Sequence, residues 1–245
     1  MSRVPGNAWD SLRPFVTLNA AMTADGKIDT VARRGARISS ERDWERVDLL
    51  RAENDAIMVG GNTLLGDDPA LTVKSPLLRA GRKARGLDEN PMKVGVLSKI
   101  AAPDEEPTLS SQSRFVTADS ARRVVFTSEE TKVDQMARLR SLGVEVFVHG
   151  ASKVDLPAAL AHLRKLGVER LLVEGGATLN AELLRHGLID EIYLYLAPLI
   201  FGGSLAPTLV DGAGFAQDEA IHLDLLGLEK MEDGALLLHY SLQRT

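Results

Sequence analysis

The chain has 245 residues, with 29 Lys and Arg against 34 Asp and Glu, a formal charge of −5, and no cysteine. That length makes one large domain or two small ones, which bury roughly 70–75% of the unfolded surface with no covalent staple. The missing cysteine excludes a thiolate nucleophile, an iron–sulfur cluster and a Cys-ligated zinc, and the mild acidity argues against a nucleic-acid binder, whose footprint is a surplus of Lys and Arg.

Apolar β-branched runs alternate with amphipathic stretches, the pattern of a layered α/β domain. Residues 1–12 read as an N-terminal tail without the apolar core of a signal peptide. The first expected strand, 15–21, runs into Met22-Thr23-Ala24-Asp25-Gly26-Lys27, where Asp-Gly signals a turn. Ser39 or Ser40 caps a helix with Trp44, Val47 and Leu50 at three-residue steps. A short buried strand at 56–59 ends in Gly60-Gly61-Asn62-Thr63, and Asp68-Pro69 breaks the helical turn that follows. From 75 to 91 the periodicity disappears, and Arg79, Arg82, Lys83 and Arg85 cluster without an apolar face, so an exposed loop is expected. Residues 103–122, with an acidic run and a Ser-rich run, read as a second solvated insertion. Strands resume at 94–97 and 124–127, so neither stretch is a domain linker, and 13–245 reads as a single domain. A strand at 144–148 follows, then a helix at 156–166 with Leu156, Leu160, Leu163 and Leu166 on one stripe, and a strand at 171–173. The chain closes with a helix at 177–186, a strand at 192–196, a Pro- and Gly-rich crossing and a strand at 235–242. The expected fold is one α/β layer, mostly parallel in its front half with an antiparallel finish. No stretch approaches the ~18 apolar residues of a membrane span, so a cytoplasmic location without membrane or nucleic-acid partners is expected.

Chemistry concentrates at two junctions. In Val173-Glu174-Gly175-Gly176-Ala177-Thr178-Leu179 a buried strand runs through a glycine pair into a helix, which lets the backbone approach a ligand and turns helix-start N–H groups toward an anion. The spacing fits neither a dinucleotide fingerprint nor a Walker loop. Glu174 ends its strand at the carboxyl edge, where open α/β sheets bind ligands. Val59-Gly60-Gly61-Asn62-Thr63 repeats the arrangement, giving a second candidate anion cradle, followed by Asp67 and Asp68. The five histidines lack paired ligand spacing, and no Gly-x-Ser-x-Gly elbow is present, so neither a metal site nor a serine hydrolase is expected.

Three segments together carry a resemblance: Arg13-Pro14-Phe15-Val16 with Met22 to Ile28; Leu50-Arg51-Ala52 with Val59-Gly60 and Asp67 to Val73; and Glu174 to Asn180. With Leu188-Ile189-Asp190-Glu191 and Ala197 to Gly203, they closely resemble the pyrimidine reductases of riboflavin biosynthesis. The resemblance implies a dihydrofolate-reductase-like fold, NADPH as cofactor, a homodimer, and reduction of a ribosylamino side chain to ribitylamino on a pyrimidine 5′-phosphate. It places Thr63, Asp67, Ser98, Gly150, Gly175, Gly176, Ala177, Thr178 and Leu179 on NADPH, and Arg51, Leu71, Lys74 and Glu174 on the substrate, the cations near its phosphate. Asp25 and Lys27 match the turn beside the reacting centre, and Glu174 or Lys27 is the candidate for proton delivery. Leu97 stands beside Ser98 where related enzymes often carry Asp. Gly35-Ala36-Arg37-Ile38-Ser39 is similar to the stand-alone type, whose substrate is the 2,5-diamino pyrimidinone, whereas the bacterial fusion enzymes tend to have Trp at the position of Arg37. Without cysteine the zinc deaminase half of those fusions is not expected here. The alternatives are a reductase for the deaminated pyrimidine or another heterocycle, and a nucleotide-binding module without turnover. The apolar run 193–201 fits either a dimer contact or a central strand.

Overall fold

A computed structural model of the chain describes residues 12–101 and 108–243. Nine strands form one sheet: β1 (Phe15–Thr23), β2 (Ala56–Gly60), β3 (Met92–Val96), β4 (Arg123–Thr127), β5 (Glu145–Val148), β6 (Arg170–Val173), β7 (Glu191–Ala197), β8 (Leu223–Lys230) and β9 (Leu236–Leu242). Their order is β5-β4-β3-β2-β6-β1-β7-β9-β8. The pairs from β5 to β7 are parallel and those of β9 with β7 and β8 antiparallel, as the sequence pattern predicts. β7 lies between β1 and β9, so the apolar run beginning at Tyr193 enters an interior strand.

Alternation along the strands splits the core into two layers. Val16, Leu18, Met58, Val94 and Val173 face the layer that holds Leu160 and Leu163 of α6 (Leu156–Lys165) and Leu183 of α7 (Ala177–Arg185). Ile57, Val59, Val125 and Leu172 face the opposite layer with Leu64, Phe115 and Leu139. In this second layer lie α2 (Gly61–Gly66), α4 (Arg114–Thr117) and α5 (Val133–Ser141), which supply those three residues. α1 (Glu41–Glu53) starts at Ser40, whose hydroxyl accepts from the Asp43 N–H at 3.3 Å, a cap worth about 1 kcal/mol.

Two expected loops are corrected. Within 75–91 the chain forms α3 (Pro76–Ala84), with Ser75 as N-cap and proline in its first turn. It docks through a cation: Arg82 is 2% exposed and donates to the carbonyls of Ala52 (3.0 Å), Asn54 (2.6 Å) and Asp88 (2.8 Å). Those carbonyls include ends left open by α1, so the guanidinium caps one helix while sitting on another. Burial first, and then Arg85, lower the Arg82 pKa against the pull of Asp55 and Asp88. Of the second expected insertion, 103–107 lie outside the described residues. The remainder carries α4 and anchors a largely exposed stretch by burying Leu109, Phe115 and Ala121.

Candidate active site

The strand order sets the site. The chain leaves β1, builds β2 to β5 outward on one side, and returns to insert β6 between β2 and β1 before crossing to β7. Open α/β sheets bind ligands at the carboxyl ends of strands where connections diverge in this way. Both glycine pairs end there, on adjacent strands, for Met58 of β2 is opposite Val173 of β6. The Gly60 N–H donates to the Gly175 carbonyl at 2.8 Å, so the two expected cradles merge. The packing leaves little room for a side chain: a Cβ on Gly176 would lie 2.8 Å from Thr63 Oγ1, and one on Gly60 would lie 3.2 Å from the Leu179 Cβ.

A cleft of about 830 Å³ opens over this junction. Seven of the residues expected on a cofactor line it: Thr63, Asp67, Ser98, Gly176, Ala177, Thr178 and Leu179. Gly175 and Gly150 stand behind the wall. Gly150 has φ 93°, and a Cβ there would lie 2.1 Å from the Lys153 carbonyl oxygen. It thereby turns the segment that carries Lys153 and Val154 into the cleft, where the Val154 N–H meets Ser98 Oγ at 3.4 Å. At the start of α7 the first N–H groups lack intrahelical acceptors and face this opening, a setting that favours an anion.

Residues expected on the substrate form a second group beside the cleft. Arg51 and Glu174 meet fork to fork, Nε to Oε1 at 2.7 Å and Nη2 to Oε2 at 2.8 Å, and Arg51 Nη1 donates to the Thr72 carbonyl at 3.0 Å. Burial opposes the Arg51 charge, but Glu174 and then Asp48 more than offset it and raise its pKa. Arg51 thereby commits three of its five N–H donors to Glu174 and Thr72. Leu71 is buried at φ 49°. Lys74 is exposed, and its backbone N–H and that of Ser75 donate to the Asp48 carboxylate at 2.5 and 2.7 Å.

Asp25 and Lys27 brace a turn. Asp25 accepts from the Thr23 hydroxyl (2.5 Å) and from the N–H groups of Phe201 (3.2 Å) and Gly202 (2.7 Å). The Thr23 bond first, aided by those N–H groups and opposed by desolvation, lowers its pKa. Lys27 Nζ donates to the Ala206 carbonyl at 3.3 Å. Both thus tie the end of β1 to the glycine-rich crossing after β7.

Several cleft residues escaped the sequence reading: Asp29, Arg33, Lys99, Lys153 and Asp211. Asp29 organises its own loop by accepting from the N–H groups of Thr30, Gly35 and Ala36. Desolvation first, and then Asp29, raise the Asp67 pKa. The usable signal was position: Asp29 lies just beyond β1 and Lys99 just beyond β3, at the same carboxyl edge that singled out Glu174.

Among the described residues no helix is long and apolar enough to cross a membrane. Residues 14–237 match the model of the RibD C-terminal domain. The chain is 43% identical over 204 residues to a protein of Archaeoglobus fulgidus (83% of this chain, 89% of the relative) and 44% over 215 residues to one of Methanothermobacter thermautotrophicus (87% and 92%). Both relatives are named 2,5-diamino-6-ribosylamino-4(3H)-pyrimidinone 5′-phosphate reductase. A pyrimidine reductase-like protein of Corynebacterium diphtheriae shares the fold, with TM-score 0.79 at 20% identity over 98% of this chain and 96% of its own. The chain belongs to the RibD C-terminal domain family.

Proposed function

We propose that this protein is the NADPH-dependent reductase of 2,5-diamino-6-ribosylamino-4(3H)-pyrimidinone 5′-phosphate, converting the ribosylamino side chain to ribitylamino. The observation that carries this reading is the merged glycine junction of β2 and β6, with the Arg51–Glu174 pair beside it. The long relatives at 43–44% identity carry that name over most of their length.

The cleft fits the cofactor on its own chemistry. A glycine stands where a Cβ would meet Thr63, the α7 amides offer donors to a diphosphate, and the cations Arg33, Lys99 and Lys153 share the wall with Asp29, Asp67, Glu182 and Asp211. What a bound NADPH supplies is a hydride for C1′ of the ring-opened ribosylamine, with one proton taken up at the nitrogen. The chain supplies position and electrostatics. Thr63, Ser98 and the start of α7 hold the cofactor side, Asp25 and Lys27 fix the turn at the end of β1, and Leu71, Lys74 and Glu174 stand on the pyrimidine side. Lys27 and Glu174 are the side chains from which proton handling is drawn.

A homodimer is part of this proposal. β8 is an edge strand exposed along nearly its whole length, and Leu223, Leu225, Leu226 and Leu228 are 40–61% exposed on it. An apolar edge of that kind is covered in a stable protein, here by a second copy. Light scattering on the purified chain gives twice the chain mass if this is right, and Leu225→Lys with Leu228→Lys gives the monomer.

The activity is tested by following loss of NADPH absorbance with each of the two pyrimidine phosphates, diamino and deaminated. Oxidation with the diamino compound is expected. Absence of oxidation with both overturns the reading.

A further inference from the structure

We propose that Asp48 is a positioning residue for the phosphate end of the substrate, acting through Lys74 as the head of a side-chain clamp on residues 72–75. The inference rests on the functional reading above and deepens it. Residues 71–75 form neither helix nor strand, so no backbone ladder fixes them, yet Leu71, Thr72 and Val73 are buried. Buried backbone groups need partners, and here side chains supply them. Arg51 donates to the Thr72 carbonyl (3.0 Å), and Asn90 Oδ1 accepts from the Val73 N–H (2.8 Å). Arg79 Nη1 donates to the carbonyls of Val73 (3.0 Å) and Lys74 (2.8 Å). Asp48 completes the clamp: Oδ1 accepts from the Lys74 N–H at 2.5 Å and Oδ2 from the Ser75 N–H at 2.7 Å.

Both bonds to Asp48 are charge-assisted, the strong kind. Asp48 is 7% exposed and stands on α1 three residues before Arg51, on the same side of the helix. Its charge is also one of those that sustain the Arg51 guanidinium. One helix therefore carries both the cation that meets Glu174 and the acceptor that holds Lys74. The two groups of the substrate side are set against each other by α1 rather than by the irregular segment itself.

Lys74 is fixed in its backbone and free in its side chain. The residue is exposed, and its ammonium enters none of the ion pairs among the described residues. An ammonium with open donors suits a phosphate monoester as a point charge. The N–H groups of Lys74 and Ser75 are already taken by Asp48, so on this wall the side chain, and not the backbone, meets the anion. That differs from the start of α7, where the N–H groups face the cleft. The reach of a lysine is counted from its Cα, so a shift of this backbone moves the charge with it, and a misplacement of about 1 Å can cost up to ~10²-fold.

The test measures dissociation constants by calorimetry for three ligands: the diamino pyrimidine phosphate, the same riboside without its phosphate, and NADPH. In wild type the phosphate tightens binding, and Lys74→Met lowers that preference roughly 10- to 150-fold, the worth of one charge-assisted hydrogen bond. Asp48→Asn keeps the shape but turns an amide NH2 toward one of the two N–H donors. It lowers the preference for the phosphorylated form about tenfold, never by more than Lys74→Met does, while NADPH binding stays within about twofold of wild type. In the Lys74→Met background Asp48→Asn lowers the preference no further. Asn90→Ala removes a neutral member of the clamp at a half-buried position and gives the same selective loss in smaller measure, which keeps the test decisive should Asp48→Asn not fold. Equal weakening of both forms by Asp48→Asn or Asn90→Ala, additive losses in the double variant, or an unchanged preference in Lys74→Met overturns the inference. Each of these leaves the reductase assignment standing where wild type oxidises NADPH with the diamino compound. Absence of that oxidation removes the assignment, and the inference falls with it.

Discussion

Replacing Arg51 by Met tests how the pyrimidine side of the site is held. The substitution removes two charge-assisted bonds to Glu174, at 2.7 and 2.8 Å, and one to the Thr72 carbonyl at 3.0 Å. Methionine fills most of the volume, so the cost is electrostatic: a carboxylate with 13% of its side chain exposed loses its partner. Breaking a buried pair from one side costs about 3–5 kcal/mol. In a domain of this size each kcal/mol lowers Tm by about 2–4 °C, so a drop of roughly 6–20 °C is expected in calorimetry. Glu174→Gln keeps the shape and one acceptor oxygen, and its expected cost is about 1.5–3 kcal/mol. The double variant Arg51→Met with Glu174→Leu removes both charges together and recovers most of the loss, because two apolar groups leave no charge stranded. A single Arg51→Met variant within about 1 kcal/mol of wild type refutes the account. So does a double variant whose loss is the plain sum of the two single losses.

Three further outcomes follow from other parts of the structure. Gly176→Ala places a Cβ 2.8 Å from Thr63 Oγ1, and a displacement on the order of 1 Å in a binding wall raises KM for NADPH by up to ~10²-fold. If the clash is the cause, Thr63→Ala in the Gly176→Ala background behaves like Thr63→Ala alone in the same kinetics. His162 bonds His149 Nε2 at 3.0 Å through Nδ1, and burial first, then His149, Lys165 and Arg122 lower its pKa against Glu145. The folded state therefore binds this proton less readily than the unfolded state. Its stabilising share is complete above the unfolded value of about 6.5 and is lost as pH falls through the folded value, so urea midpoints measured down to pH ~5 fall less in His162→Leu than in wild type. Arg82→Met strands the carbonyls of Ala52, Asn54 and Asp88 and costs roughly 2–4 kcal/mol in urea unfolding, while an Arg82 that merely decorated a loop would cost almost nothing.

Strands were the most legible part of the fold. The runs around Val16, Ile57, Val94, Val124 and Leu171 are short, apolar and bounded by turn residues, and each emerged as a parallel strand within two residues of its expected limits. Elements that do not bury an apolar face were not legible. α3 holds to the core by the guanidinium of Arg82 and keeps Leu77 80% exposed, so the burial of this short helix is not the one an apolar stripe announces. Its one local signal is the cap, Ser75 followed by Pro76. β8 went unread for a related reason: its leucines face outward at a sheet edge, and apolar residues without alternation resemble neither a strand nor a loop. α5 buries mainly Gln135 and Leu139, too little apolar surface to register as a stripe.

The site divides along the same line. Residues of the glycine junction are local in sequence, for a strand, two glycines and a helix start already imply backbone N–H groups at a ligand, and seven of nine named residues line the cleft. Charge pairing is not local. Arg51 and Glu174 stand 123 residues apart, and nothing in either segment says that the other will arrive beside it. Read alone, an Arg on α1 near a proposed phosphate is a phosphate ligand, and a Glu at a strand end is an acid. Brought together at 2.7 and 2.8 Å, each positions the other. The cation keeps two of its five N–H donors for another partner, and the carboxylate is fixed in direction by the fork. The order of strands produces this pairing, because inserting β6 between β2 and β1 carries Glu174 to the helix that holds Arg51.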